Sequence, residues 1–193
     1  MTARKWAFGL SGITLICALL IMSGVAHAQQ SCPTWSSNYY NCLWWHNQLS
    51  QSQRDAAIVN QAYDDVIQQN HNGLSCKDYA RDLVLRVSRN VVSLPSTCPN
   101  ADGYYWCQDA NTAPMAENWR NVIVGQIVQM NVRFIDGHIG PHTAVVARKD
   151  SSGVYFIDSN WYKTTDPNRV RFHYLSYIDL ASVVTAYTVY DIR

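Results

Sequence analysis

Residues 142–161, HTAVVARKDSSGVYFIDSNW, hold two runs rich in Val, Ala, Ile, Tyr and Phe separated by the turn-forming segment KDSSG. Two β-prone runs this close in sequence predict an antiparallel hairpin. If Arg148 pairs with Val154, the register sets His142 opposite Asn160. A register two residues tighter sets His142 opposite Asp158. In both cases His142, Asp158 and Asn160 share one face of the sheet, because side-chain direction repeats every second residue. A slip of one residue brings Ser159 opposite His142 and sends the other two to the far face. Asp158 and Asn160 can accept a ring N–H of His142 and set its tautomer. Both are equally suited to an Asx turn at a strand end.

Upstream of the hairpin, His138 and His142 flank a glycine-rich turn in IDGHIGPHTAVVAR. An HxxxH spacing on a helix would suggest zinc, but Gly137, Gly140 and Pro141 do not permit a helix there, so no metal site is expected. Pro141 is compatible with the edge of a strand starting at His142. Among the remaining histidines, His46 sits in CLWWHN, His71 closes a helix, and His173 lies in the alternating segment VRFHYL.

A second informative stretch begins at residue 72. Asn72-Gly73 is a helix stop, and Ser75 is an N-cap residue with Asp78 three positions later, so a new helix opens at Cys76. Tyr79, Ala80, Leu83, Val84 and Val87 follow at spacings of three and four and form its apolar face. Cys76 lies on that stripe in the first turn, where unpaired backbone N–H groups and the positive end of the helix dipole favour a thiolate. The same N–H groups can accept an oxyanion. The plainer reading makes Cys76 a small hydrophobe at the base of the helix.

The chain has 193 residues, with 15 Lys and Arg against 14 Asp and Glu and a formal net charge of +1, which excludes a nucleic-acid footprint and an acidic tail. With 48% hydrophobic residues, including 7 Trp and 12 Tyr, it is not globally disordered. The length fits one domain, and no internal repeat is present. Arg4 and Lys5, the apolar run from residue 10 to 25, and Ala26-His27-Ala28 predict a signal peptide over residues 1–28 and a mature chain starting at Gln29. The expected location is secreted or periplasmic, with no stable membrane anchor after processing.

Export leaves Cys32, Cys42, Cys76, Cys98 and Cys107, an odd number. The sequence-near pairs are 32 with 42 and 98 with 107; the pairing 32 with 107 and 42 with 98 is the alternative. Cys76 is the remainder, whether reactive, buried and inert, or bridged to another chain. Residues 29–52 form an aromatic segment with Trp35, Tyr39, Tyr40, Trp44 and Trp45, suited to stacking on carbohydrate or, the preferred reading, to packing over the helices. Residues 53–193 form the main domain. Its predicted elements are a helix over 53–69 with Val59, Ala62, Tyr63, Val66 and Ile67 on one side, the helix from Cys76, and a short helix over 116–121. Strands are expected near 126–134, 142–148, 153–158, 169–175 and 184–191. The fold class is α+β, with N-terminal helices packed on an antiparallel sheet.

A cysteine at a helix start, a histidine at a strand start and Asp-x-Asn-Trp at the end of the next strand form an order that resembles the CHAP family of cysteine, histidine-dependent amidohydrolases and peptidases, in the papain-like group that also holds the NlpC-type endopeptidases. The matching pieces are CKDYA around Cys76, VGQIVQM at 124–130, HTAVVAR at 142–148 and VYFIDSNW at 154–161. The resemblance runs over residues 73 to 190. It implies a papain-like cysteine hydrolase fold in which Cys76 is the nucleophile, His142 the general base, and Asp158 and Asn160 orient the histidine. It further implies hydrolysis of an amide bond, with peptidoglycan as the substrate and no cofactor. Acyl transfer would use the same residues. Asp158 stands where such enzymes more often have Glu, and Gln126 where Asp is usual after the glycine that opens the strand. The loop from Cys98 to Cys107 has no counterpart in that pattern. The contrasting reading is a non-catalytic wall-binding or inhibitor-like module on the same scaffold.

Overall fold

A computed structural model describes residues 32–69, 71–94, 112–115, 118–134, 136–161 and 169–193. The expected signal peptide and the Cys98 and Cys107 pair lie outside these residues. The order of elements is α1 (Tyr39–Leu43), a π-helical turn (Trp44–Gln48), α2 (Gln51–Gln68), α3 (Cys76–Val87), β1 (Thr112–Met115), β2 (Ile127–Arg133), β3 (Ile139–Lys149), β4 (Gly153–Ser159), β5 (Val170–Ser176), α4 (Tyr177–Val183) and β6 (Val184–Ile192). The strands form one antiparallel sheet in the order β1-β6-β2-β3-β4-β5. The class is α+β.

Alternation along the strands divides the interior in two. Ile127, Val145, Ala147, Ile157, Val170, Tyr190 and Ile192 face α2 and α3, where they meet Ile58, Ala62, Tyr79, Leu83, Val84 and Trp45. Val128, Met130, Ala144, Val146, Val154, Phe156 and Val189 face the other way, against Leu180 of α4, Val122 and Trp161. Both faces are therefore covered, and the central strands are buried along most of their length.

Several expectations shift by a few residues or change. Helix α2 starts at a capping box formed by Ser50 and Gln53 and ends at Gln69, whose left-handed backbone (φ 55°) caps it before Asn72-Gly73 is reached. Ile67 is 76% exposed, because its direction on the helix is opposite to that of Ile58, Val59 and Ala62. Residues 118–121 form a turn and not a helix, held by the Asn121 N–H donating to the Asn118 carbonyl. The aromatic segment splits: Trp45 is in the core and Trp44 packs against it under the Arg89 guanidinium, while Trp35 and Tyr40 face solvent. Cys32 is bridged to Cys42, which excludes their crossed pairing with Cys107 and Cys98 and fits an oxidising compartment. Among the described residues no helix is long and apolar enough to cross a membrane.

Two contacts position the helices, one between α2 and α3 and one between α2 and the segment leading into β2. Asp65 of α2 is buried; it accepts hydrogen bonds from both terminal nitrogens of Arg86 on α3 (2.6 and 3.3 Å) and from the Tyr79 hydroxyl at 3.2 Å. Arg86 also donates to Asp82 at 2.7 Å. At the other end of α2, Gly125 approaches Asp55 so closely that a Cβ would lie 2.4 Å from the Asp55 Cβ, and its φ of 101° also favours glycine. Asp55 accepts from Gln51 at 2.8 Å, and burial, followed by the nearby Asp191, pushes its carboxyl up to about 6.

Replacing Arg86→Met keeps most of the stem but leaves Asp65 a buried charge, and should cost about 3 kcal/mol in urea unfolding. Asp55 ionises at higher pH folded than unfolded, so its contribution to stability declines as pH rises from the ordinary 3.8 through about 6. Asp55→Asn should remove that decline; identical pH dependence of unfolding in both proteins would refute it.

Candidate active site

Cys76 is the first residue of α3. The Ser75 side chain accepts from the Asp78 N–H at 3.2 Å, and the Ser75 hydroxyl donates to the Asp78 carboxylate at 2.7 Å, so the helix starts where the sequence predicts. The turn ahead of it is tied to the sheet. Ser159, the last residue of β4, donates its hydroxyl to the Leu74 carbonyl at 2.6 Å, and the Asn72 side chain accepts from the Val170 N–H at 3.1 Å. These two bonds bring the start of α3 to the ends of β4 and β5. Cys76 is a free thiol, 8% exposed.

The hairpin register combines features of the expected alternatives. Near the turn Arg148 pairs with Tyr155 and Lys149 with Val154; a bulge at Ala147 then shifts the pairing to Val146 with Phe156 and Val145 with Ile157. Arg148 does not pair with Val154, yet beyond the bulge the strands follow the looser of the two expected registers. Strand β3 starts at Ile139, three residues earlier than expected, and Pro141 lies inside it opposite Asn131. Proline is accommodated there because β3 has no β4 partner beyond Val145.

In this stretch, which pairs with β2 but not with β4, the candidate residues meet. His142 is 1% exposed, and its Nε2 lies 3.2 Å from Oδ2 of Asp158, one step diagonally across the sheet. Its ring also hydrogen-bonds Cys76. With Nε2 turned to the carboxylate, Nδ1 is the nitrogen left for the thiol. Asn160 is not brought to the imidazole. The chain takes a left-handed turn at Asn160 (φ 67°) directly after β4, and no hydrogen bond joins its side chain to His142. Asp158, not Asn160, is the group beside the histidine.

Two further residues complete the cluster, and the sequence reading gave neither a role. Trp161 sits edge-on to His142 at 4.7 Å and stacks on His173 at 4.3 Å, sealing the pair from one side. His173 on β5 places Nδ1 3.3 Å from the same Oδ2 of Asp158. The Asp-x-Asn-Trp segment could have drawn attention to Trp161. His173 could be located only with the pairing of Phe156 with His173, which follows a connection of ten residues between β4 and β5.

Burial alone pushes the His142 ring down. The Asp158 carboxylate 3.2 Å away and the contact with Cys76 outweigh burial and raise it to about 10. His173 moves the opposite way: burial lowers it, the Asp158 charge raises it, and the positive charge of His142 lowers it again, leaving it below the ordinary value. A buried carboxylate between two imidazoles of opposite tendency is a pattern of acid–base chemistry. Gln126, by contrast, is structural: its side chain accepts from the Ile123 N–H and donates to Asp191, each at 2.7 Å.

No family model matches the chain, and no curated protein matches it. Among solved structures it is similar to "The crystal structure of Ly7917", at 18% identity and a TM-score of 0.44 over 69% of this chain. The match spans 62% of that protein's chain.

His142 should carry both ring protons at pH 8 while His173 carries one at pH 6.5, observable by long-range ¹H–¹⁵N NMR. The pair involving His142 contributes stability present below pH 6.5 and lost as pH rises through about 10. Equal titration of both rings near 6.5 would contradict the assignment.

Proposed function

We propose that the chain is an exported cysteine hydrolase with a papain-like, CHAP-like site, cleaving an amide bond in peptidoglycan. The observation that carries this reading is the contact of a thiol at a helix N-terminus with an imidazole held by a buried carboxylate. The choice of peptidoglycan comes from the resemblance of the four sequence segments. The Cys32–Cys42 disulfide is consistent with work outside the cytoplasm.

Each residue has one task in this reading. The imidazolium of His142 and the first turn of α3 hold Cys76 as a thiolate. The sulfur attacks the amide carbon, and the oxygen becomes an oxyanion that free backbone N–H groups of the α3 first turn can accept. His142 then passes its proton to the departing amine nitrogen as the C–N bond breaks. Water, deprotonated by His142, cleaves the thioester; the acid leaves, and the thiolate and imidazolium are restored. Asp158 keeps the ring oriented and compensates its charge. None of these steps calls on a metal ion.

The low exposure of Cys76 favours a second reading, a wall-binding or inhibitor-like module with an inert thiol. The two differ in outcome with one substrate. Purified peptidoglycan incubated with the mature protein should yield new soluble fragments by mass spectrometry, and Cys76→Ala should reduce their rate by about 10³-fold or more while retaining the fold. Undiminished release by Cys76→Ala would remove the nucleophile. Binding without release by the wild type would favour the module.

A further inference from the structure

Asp158 is fully buried, and neither of its oxygens finds a hydrogen-bond donor of good geometry; the two imidazoles are its polar company, at 3.2 and 3.3 Å on the same oxygen. Burying a carboxylate is costly unless polar groups stand beside it. His142 brings a positive charge, but His142 is the group that the proposed mechanism discharges when it delivers its proton. The second imidazole then remains beside Asp158, its Nδ1 3.3 Å from the carboxylate.

His173 is built for that task. Both of its ring nitrogens are buried and neither has a hydrogen-bond partner, so no competing bond pulls the ring away from Asp158. Stacking on Trp161 at 4.3 Å and on Phe156 at 5.6 Å fixes its plane. The groups around it are Asp158 on β4, His142 on β3, Cys76 at the start of α3 beyond His142, and Arg171 on its own strand, opposite Asp158 in the pairing. The Tyr79 phenol of α3 also feels the Asp158 charge. Burial first, and then the charge on His142, keep His173 neutral, so it can offer an N–H without adding a second cation.

We infer that His173 is a positioning residue of the proposed site: its Nδ1–H supports the Asp158 carboxylate, which keeps His142 charged and Cys76 a thiolate. The inference rests on the reading of Cys76 and His142 as a reactive pair. It extends the site from three side chains to four, with the outermost on the edge strand β5.

The test is the pH profile of Cys76 alkylation by iodoacetamide, which follows the thiolate, measured on the full mature chain. His173→Phe keeps a flat ring for Trp161 and Phe156 but removes the N–H. His173→Gln returns a neutral N–H donor. Without the donor, the Asp158 carboxylate is held less firmly against His142, the imidazolium loses support, and the thiolate forms at higher pH. His173→Phe should therefore move the alkylation midpoint up by about one pH unit, a roughly tenfold slower reaction on the acid side of the curve. His173→Gln should recover most of that shift, with melting temperatures reported for all three proteins. Rapid wild-type alkylation with an unmoved His173→Phe profile would overturn this inference and leave the reactive pair standing. An equal shift in both variants would also overturn it, since a lost ring and not a lost donor would be the cause. A wild-type thiol no faster than an ordinary buried cysteine would bring down the pair itself.

Discussion

A buried carboxylate flanked by two imidazoles is the constraint around which this molecule is arranged. Asp158 is buried at the end of β4, and β3 and β5 each bring a ring to it. The sheet has to be ordered β3-β4-β5 for this to happen, since a histidine on either flank must share the inner face with the aspartate. Trp161 completes the enclosure by lying against both rings. Loosening any of these three strands would strand a charge in an apolar interior.

Placing the sulfur is a separate task, solved from the opposite face of the sheet. Helix α3 packs on the Val145 and Ile157 side, whereas His142 and Asp158 point the other way. The two can meet because β3 and β4 stop pairing beyond Val145 and Ile157, and the start of α3 is held there by Ser159 and Asn72. The buried Asp65–Arg86 ion pair fixes α3 against α2 and so sets the angle at which its first turn reaches the strand ends. Packing on one side of the sheet is thereby translated into contact on the other.

Polar and steric contacts also tie down the strands around the site. The Ala147 bulge turns both Ala147 and Arg148 to the helix side, and the Arg148 guanidinium lies over the Tyr155 ring at 4.9 Å. Gly125 is pressed on Asp55, and Gln126 bridges the backbone at Ile123 to Asp191. The VGQIVQM segment is thus an anchor of the sheet, and its glycine and glutamine serve backbone geometry instead of chemistry.

Local rules were enough for a large part of this. Ser75 before an apolar stripe places Cys76 in the first turn of a helix, since capping and periodicity act within a few residues. Alternation in VYFIDSNW puts Asp158 on the inner face, and short turn-rich spacing joins β3 to β4. What these rules could not decide depended on contacts between distant segments. The choice of Asp158 over Asn160 came from a left-handed residue that turns the chain away directly after β4. The exposure of Ile67, Trp35 and Tyr40 followed from which surfaces found a partner. His173 reads in sequence as one more residue of an alternating strand, and only the pairing of β5 with β4 carries its ring to the carboxylate. A chain records its own periodicities locally, but the neighbour across a sheet is chosen by the fold as a whole, because strand pairing joins residues that no short-range preference links.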